Sequence, residues 1–200
     1  MNDTAATDAP DDVAQLEQQI SELQHKLVAA RKRQGGETVK DYVFKAPSAD
    51  VALSALFGDK RDLLVVHNMG RHCRYCTLWG DGFAGLVKHL ENRAAFVVAS
   101  DDPVDVQQAF AQSRGWPFRM VSSADTSFFT DMGFRGPSDD GHTINWPGVS
   151  AFHQSDDGTI TRTARSFFGP GDAFCPVWHL FDLLADGANE WRPKLNYARV

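Results

Sequence analysis

The apolar run LLVVHNM (63–69) passes directly into GRHCRYCTLWG (70–80), so that Cys73 and Cys76 stand where the run ends. The run is apolar and β-branched enough to read as a buried strand. Past the cysteines, Trp79, Phe83, Leu86, Val87 and Leu90 fall on one face of a helix. A strand that delivers a CxxC pair to the first turn of a helix leaves few architectures open. The helix start offers free N–H groups and partial positive charge, which stabilise a thiolate at Cys73. Arg71, Arg74 and a protonated His72 would lower its pKa further and raise the fraction of nucleophile near neutral pH. Cys76, one turn on, lies on the same side and can attack a mixed disulfide. The spacing therefore supplies an attacking and a resolving thiol.

Two other readings of the pair stand beside this one. Zinc takes four ligands in structural sites, or three plus water in catalytic ones. The chain has no second CxxC, and its histidines show no HxxxH or HxH spacing, so the pair would be half a metal site. It could also be two small apolar residues met by chance. The third cysteine, Cys175, precedes Pro176 at the expected start of a helix and reads as a buried apolar residue.

The rest of the chain alternates strands and helices. "YVFKAP" reads as a strand and "VALSALFG" as a short helix closed by Gly58. "AAFVVAS" (94–100) is a second buried strand. A helix near Pro103 is expected to bury Val106, Ala109 and Phe110, and "FRMVSS" (118–123) is another strand. Residues 124–147 read as irregular. Residues 148–166 read as a hairpin turned at Asp157-Gly158. Val177, Leu180, Phe181 and Leu184 mark a last helix that ends near Gly187. Alternation followed by a hairpin predicts an α/β sandwich with a mixed central sheet.

Ahead of this domain, residues 1–11 read as disordered and about 13–33 as a helix, with Gly35 and Gly36 as its breaker. Val13, Leu16, Ile20, Leu23, Leu27 and Ala30 alternate spacings of three and four. This stripe is expected either to pack on its own domain or to join two chains into a homodimer. The predicted division is 1–36 for the start and N-terminal helix, and 37–200 for the main domain.

Bulk properties narrow the function. The 200 residues are 42% hydrophobic and 23% charged, enough for a sizeable core. A net charge of −6 gives no footprint for nucleic acid or for an anionic membrane. The polar, acidic start resembles no secretory signal, and no apolar run is long enough to span a bilayer. The expected location is cytoplasmic. Three cysteines are too few for a disulfide scaffold, and in a reducing compartment a CxxC rests as thiols.

Across about residues 41–186 the chain resembles the thioredoxin-like superfamily, through the CxxC at a strand–helix junction, Pro147 before a hairpin, and a closing helix. "DVALSALFGDKRDLLVV" is similar to the lead-in of the peroxiredoxin-like branch. The whole chain is more closely similar to an uncharacterised bacterial family of predicted dithiol-disulfide oxidoreductases. The shared landmarks are Lys40–Phe44, Leu56–Gly58, Cys73, Cys76, Trp79, Asp81 and Phe96–Ser100. The resemblance implies a thioredoxin-like sandwich plus an N-terminal helix. It implies a cis peptide bond before Pro147, with that proline facing the CxxC and shaping a substrate cleft together with Trp146. No organic cofactor is implied. The expected partners are a disulfide-bearing protein or small molecule and a thiol reductant.

Three departures from the wider superfamily bear on function. Thioredoxins carry WCGPC, whereas here His72-Cys73-Arg74-Tyr75-Cys76 stands in its place, and the residues between the cysteines help set the reduction potential. Trp146 fills a position where thioredoxins use small or β-branched residues. Peroxiredoxins place a threonine three residues before their peroxide-reacting cysteine, and Gly70 stands there in this chain. The expectation is a thiol-disulfide oxidoreductase, with Cys73 as nucleophile and Cys76 as resolver. The alternatives are a metal-binding protein on the same fold and a non-catalytic interaction module.

Overall fold

The computed structural model describes residues 12–197, so the expected disordered start, 1–11, lies outside the described residues. The chain divides into two units, Met1–Gly36 and Glu37–Val200. In the first, helix α1 spans Val13–Gln34. Asp12 caps it by accepting the Ala14 N–H at 3.2 Å. Gly35, at φ 71°, ends it.

The second unit contains, in chain order, β1 (Glu37–Thr38), β2 (Val43–Phe44), β3 (Val51–Ala52), a 3-10 turn (Ser54–Phe57) and β4 (Asp62–His67). Helix α2 (Arg74–Arg93), β5 (Ala95–Ser100), α3 (Val104–Arg114) and β6 (Arg119–Ser122) follow. Then come α4 (Phe128–Asp131), β7 (Arg135–Pro137), β8 (Thr143–Asn145), β9 (Gly148–Gln154), β10 (Ile160–Phe167) and α5 (Pro176–Phe181). Six strands form one sheet in the order β1-β10-β9-β4-β5-β6. β4, β5 and β6 run parallel, while β9 runs antiparallel to β4 with His67 opposite Gly148. The sheet is mixed and β4 lies inside it, as expected from its apolar sequence.

Alternation along the central strands sends side chains to two cores. Leu63, Val65, Val97 and Ala99 join Phe44, Phe128, Phe134 and Phe152 on one face. Val66, Phe96 and Val98 join Trp79, Phe83, Trp116 and Phe168 on the other. Helix α2 supplies Trp79, Phe83 and Val87 to the second core.

Several details differ from the sequence-based reading. Leu86, expected on the buried face of α2, is exposed. In α3 the buried residues are Gln107 and Ala111, while Val106 and Phe110 are only half-buried and Ala109 is exposed. Gln107 is inside because its amide donates to Ser100 Oγ at 2.8 Å and to the Val121 carbonyl at 3.0 Å, joining β5 to β6. The segment 124–147 is not irregular throughout. It holds α4 and a small β7–β8 ladder that pairs Arg135 with Asn145. "VALSALFG" divides into β3 and the 3-10 turn, and the last helix stops at Phe181.

The expected cis bond before Pro147 is also corrected. No peptide bond among the described residues is cis, and Trp146–Pro147 is trans. Backbone hydrogen bonds hold both sides of it. The Trp146 N–H donates to the Phe134 carbonyl at 2.8 Å, and the Phe168 N–H donates to the Pro147 carbonyl at 2.9 Å. The ordinary trans preference of an X–Pro bond prevails.

Candidate active site

The site starts with a short loop that leaves the C-terminal end of β4. Asn68 closes its first turn, its Oδ1 accepting the Gly70 N–H at 2.7 Å. Gly70 has φ 103°, a left-handed conformation that favours glycine. A Cβ there would lie 3.0 Å from the Asp102 carboxylate. Asp102, just past β5, accepts the Arg71 N–H at 2.7 Å. The Cys73 N–H then donates to the Gly70 carbonyl at 3.1 Å. Two side chains from the ends of adjacent parallel strands therefore fix where the dithiol sits.

Cys73 is the N-cap residue of α2. Its backbone is extended, and its sulfur accepts the Cys76 N–H at 3.1 Å, the place a serine or aspartate oxygen often takes. The Thr77 hydroxyl donates to the Cys73 carbonyl at 3.0 Å and steadies the first turn. Cys76 is buried, and its sulfur accepts the Met69 N–H at 3.4 Å. All three cysteines are free thiols.

These contacts make the two thiols unequal. The Cys76 side chain, as hydrogen-bond donor, lowers the Cys73 pKa to about 7 against the opposing effect of burial; the backbone amides of Cys76 and Tyr75 and the charge of Arg74 lower it further. Cys76 shifts the other way, well above an ordinary thiol, because it hydrogen-bonds Cys73, is buried, and faces the developing charge on Cys73. At neutral pH the thiolate fraction of Cys73 is therefore larger than the few per cent of an unperturbed cysteine.

The flanking cations are arranged differently from one another. The Arg74 guanidinium lies 5.7 Å from the centre of the Tyr75 ring and acts on Cys73. Arg71 is held through its backbone by Asp102, and its Nε donates to His72 Nε2 at 3.4 Å. Arg71, His72 and Arg74 are all exposed around the cysteines.

Trp146 and Pro147 come together, with Gly133, Phe167 and Phe168, around an apolar cavity of about 360 Å³. Neither cysteine lines it. An aromatic chain connects the two places: the Phe168 ring lies 5.2 Å from Trp79, and Trp79 lies 6.3 Å from Tyr75, between the cysteines. A polar network orients the strands that carry Trp146. Asp101 pairs with Arg135, accepts the Asn145 amide at 2.8 Å and accepts the Ser123 hydroxyl at 2.8 Å. Arg135 Nε also donates to Asn145 Oδ1 at 2.7 Å.

Asn68, Asp101 and Asp102 escaped the sequence reading. The signal available was position: polar residues directly after two adjacent strands, at the carboxyl edge where α/β sheets build sites. Cys175, Asp81 and His67 make contacts of their own. Cys175 is buried beside Trp178 in the second core. Asp81 accepts the Trp116 indole N–H at 2.8 Å and pairs with Arg114. His67 is fully buried against Phe128 and Phe134, with Nε2 at 2.9 Å from Ser150 Oγ, and burial drives its pKa far down. Among the described residues no group of three or more Cys, His, Asp or Glu side chains could hold a metal ion, and no helix is long and apolar enough to cross a membrane.

The family described as "Bacterial protein of unknown function (DUF899)" matches residues 4–200. No curated protein matches significantly. Among solved structures, Peroxidoxin BcpB from Mycobacterium tuberculosis is 21% identical, with a TM-score of 0.53 over 71% of this chain and 89% of its own. Peroxiredoxin Q from Xanthomonas campestris is 14% identical, with a TM-score of 0.54 over 63% of this chain and 79% of its own. Reduced Prx3 from Vibrio vulnificus is 16% identical, with a TM-score of 0.52 over 69% of this chain and 88% of its own. At such identities the likeness concerns the fold, which is thioredoxin-like.

Proposed function

The chain belongs to the DUF899 family of bacterial proteins, and we propose that it acts as a thiol-disulfide oxidoreductase through Cys73 and Cys76. The observation that carries this reading is the inequality of the two thiols. Cys73 caps α2 with a pKa near 7, while Cys76 is buried behind it and held as a thiol.

The chemistry follows from that inequality. The Cys73 thiolate attacks one sulfur of a disulfide R–S–S–R, forming Cys73–S–S–R and releasing RS⁻. The negative charge on Cys73 and the hydrogen bond it accepts from Cys76 are then gone, and Cys76 loses its proton to solvent or to the departing thiolate. Its sulfur attacks Cys73 and releases the second R–S⁻, leaving a Cys73–Cys76 disulfide. Two electrons have passed to the substrate, and a thiol reductant returns two to the pair. A disulfide across two residues closes too small a loop to restrict the unfolded chain much, which favours chemistry over stability as its role. Trp146 and Pro147 would form the apolar side of the substrate cleft.

Peroxide is the second candidate for the group attacked, because the fold neighbours named above are titled peroxidoxin or peroxiredoxin. Gly70 weakens that reading. It offers no hydroxyl three residues before Cys73, and its amide is taken by Asn68.

The test is turnover of insulin or a small disulfide with dithiothreitol as reductant, run beside hydrogen peroxide. Wild-type protein should reduce the disulfide. Cys73→Ser should be inactive, Cys76→Ser should accumulate a mixed disulfide visible by mass spectrometry, and Cys175→Ser should behave as wild type. Equal turnover by wild type and Cys73→Ser would refute the dithiol mechanism. Faster consumption of peroxide than of any disulfide would move the assignment to a peroxidase.

A further inference from the structure

Helix α1 carries a second feature, independent of the dithiol. Its 22 residues extend about 33 Å, and none of them is buried. Within its own unit nothing covers the stripe of Val13, Leu16, Ile20, Leu23 and Leu27. An apolar seam of that length calls for a partner, and the charges on the same helix say which.

The charges are segregated. From Asp12 to Leu23 the ionised residues are Asp12, Glu17 and Glu22, with no cation. From Gln24 to Gln34 they are Lys26, Arg31, Lys32 and Arg33, with no anion. The helix dipole accounts for Arg31, Lys32 and Arg33, which lie in the last turn. It does not account for Glu17 and Glu22, because its influence fades beyond the first turn and no acidic residue lies there. Glu22 has Lys26 four residues on, but Glu17 has Ser21 at that place.

We propose that α1 is an interaction surface for α1 of a second copy of this chain, running antiparallel. The acidic half of each helix then lies along the basic half of the other. The stripe fits this direction. With Ile20 set against Leu23 of the second copy, Leu16 meets Leu27 and Val13 meets Ala30, and each pair occurs twice about the two-fold axis. Asp12 falls beside Arg33 of the second copy. A parallel pair in register has the opposite electrostatics. Asp12 would flank Glu17, and Lys26 would flank Arg31, in both cases like against like.

Sedimentation of the full chain across a concentration series tests this. A species of twice 22.1 kDa is expected. Its dissociation constant should rise as sodium chloride goes from about 0.05 to 0.5 M, because salt screens the attraction between halves. Glu17→Lys with Glu22→Lys should weaken the dimer about tenfold. Adding Lys26→Glu, Arg31→Glu and Lys32→Glu to that variant makes the first half net positive and the second net negative, and should restore the affinity. Ile20→Asp, which cuts the seam at its centre, should give monomer while leaving Cys73 alkylation unchanged. A wild-type chain that is monomeric throughout the series overturns the proposal. So does a dimer that tightens with salt or with Glu17→Lys and Glu22→Lys, which is the response of a parallel pair. A dimer insensitive to Ile20→Asp places the interface elsewhere and overturns it as well.

Discussion

The backbone amide of Cys76 points at the sulfur of Cys73 across 3.1 Å. Cys76, proposed as the resolving thiol, is thus also a donor that stabilises a thiolate on Cys73, the proposed nucleophile. The arrangement ties reactivity to secondary structure, because the amide is available only while the first turn of α2 is formed. It also makes Cys73 an anion at a pH where an ordinary cysteine is still protonated.

The first prediction concerns pH. Alkylation of Cys73 by iodoacetamide in reduced wild-type protein should titrate with a midpoint near 7. Cys76→Ala removes the largest favourable contact and should move that midpoint up by about one unit. Stability should follow the same group. A thiol whose folded pKa is depressed contributes stability above its unfolded pKa and loses it as pH falls through the folded value. Reduced wild type should therefore gain stability over Cys73→Ser between about pH 7 and 8.5, measured by urea unfolding. A flat difference across that window would count against a stabilised thiolate.

The loop before the helix gives the second prediction. Gly70 combines φ 103° with the Asp102 carboxylate 3.0 Å from a would-be Cβ. Gly70→Ala should cost about 1–3 kcal/mol of stability and raise the Cys73 titration midpoint by disturbing its position. Asp102→Ala leaves the Arg71 amide without its acceptor and should cost about 1 kcal/mol. Asp102→Asn keeps an oxygen in place and should recover most of the loss. If both Asp102 variants match wild type in stability and titration, this carboxylate does not hold the loop.

Much of this was legible in the chain because the informative residues are neighbours in sequence. LLVVHNM, the CxxC and the apolar face of α2 adjoin one another, and the 148–166 hairpin carries its own turn signal. Contacts across long separations were not legible. Asp102 acts on Arg71 from 31 residues away and Arg135 on Asp101 from the far side of β6. Gln107 looked like a surface residue because its partners, Ser100 and Val121, come from two different strands. The β7–β8 ladder hid in 124–147 because three-residue strands are too short to show a period. The isomer of Pro147 was read from a resemblance, and the local hydrogen bonds around Trp146 decided it otherwise.

The three glycines of α2 should separate sharply, which is the third prediction. A Cβ on Gly80 would lie 2.4 Å from the Trp116 ring, whereas one on Gly82 or Gly85 meets nothing within 4 Å. Trp116 has little freedom to yield, since its indole N–H is bonded to Asp81. Gly80→Ala should destabilise by about 1–3 kcal/mol through overpacking. Gly82→Ala and Gly85→Ala should each stabilise by about 0.5–1 kcal/mol through better helix propensity. Thermal melts of the three variants decide it, and equal shifts in one direction would show that the approach of Trp116 to α2 is not what position 80 requires.

The last prediction separates binding from reactivity at the same site. Trp146 and Pro147 line a cavity with Phe167 and Phe168 that the cysteines do not line. Residues there can select a substrate without touching the electrostatics of Cys73. Trp146→Ala widens the cavity and removes apolar contact. For a disulfide with a bulky apolar group, KM should rise by about tenfold, on the scale of losing one buried aromatic contact. For a small polar disulfide KM should change by less than about twofold, and the alkylation midpoint of Cys73 should stay near 7. The β7–β8 ladder gives a control for position. Asn145→Ala breaks the bonds to Asp101 and Arg135 that orient the neighbouring Trp146 and should shift KM in the same direction by a smaller factor. If Trp146→Ala instead moves the Cys73 titration and slows every disulfide alike, the indole belongs to the electrostatic surroundings of the thiolate, and the cavity is not the substrate cleft.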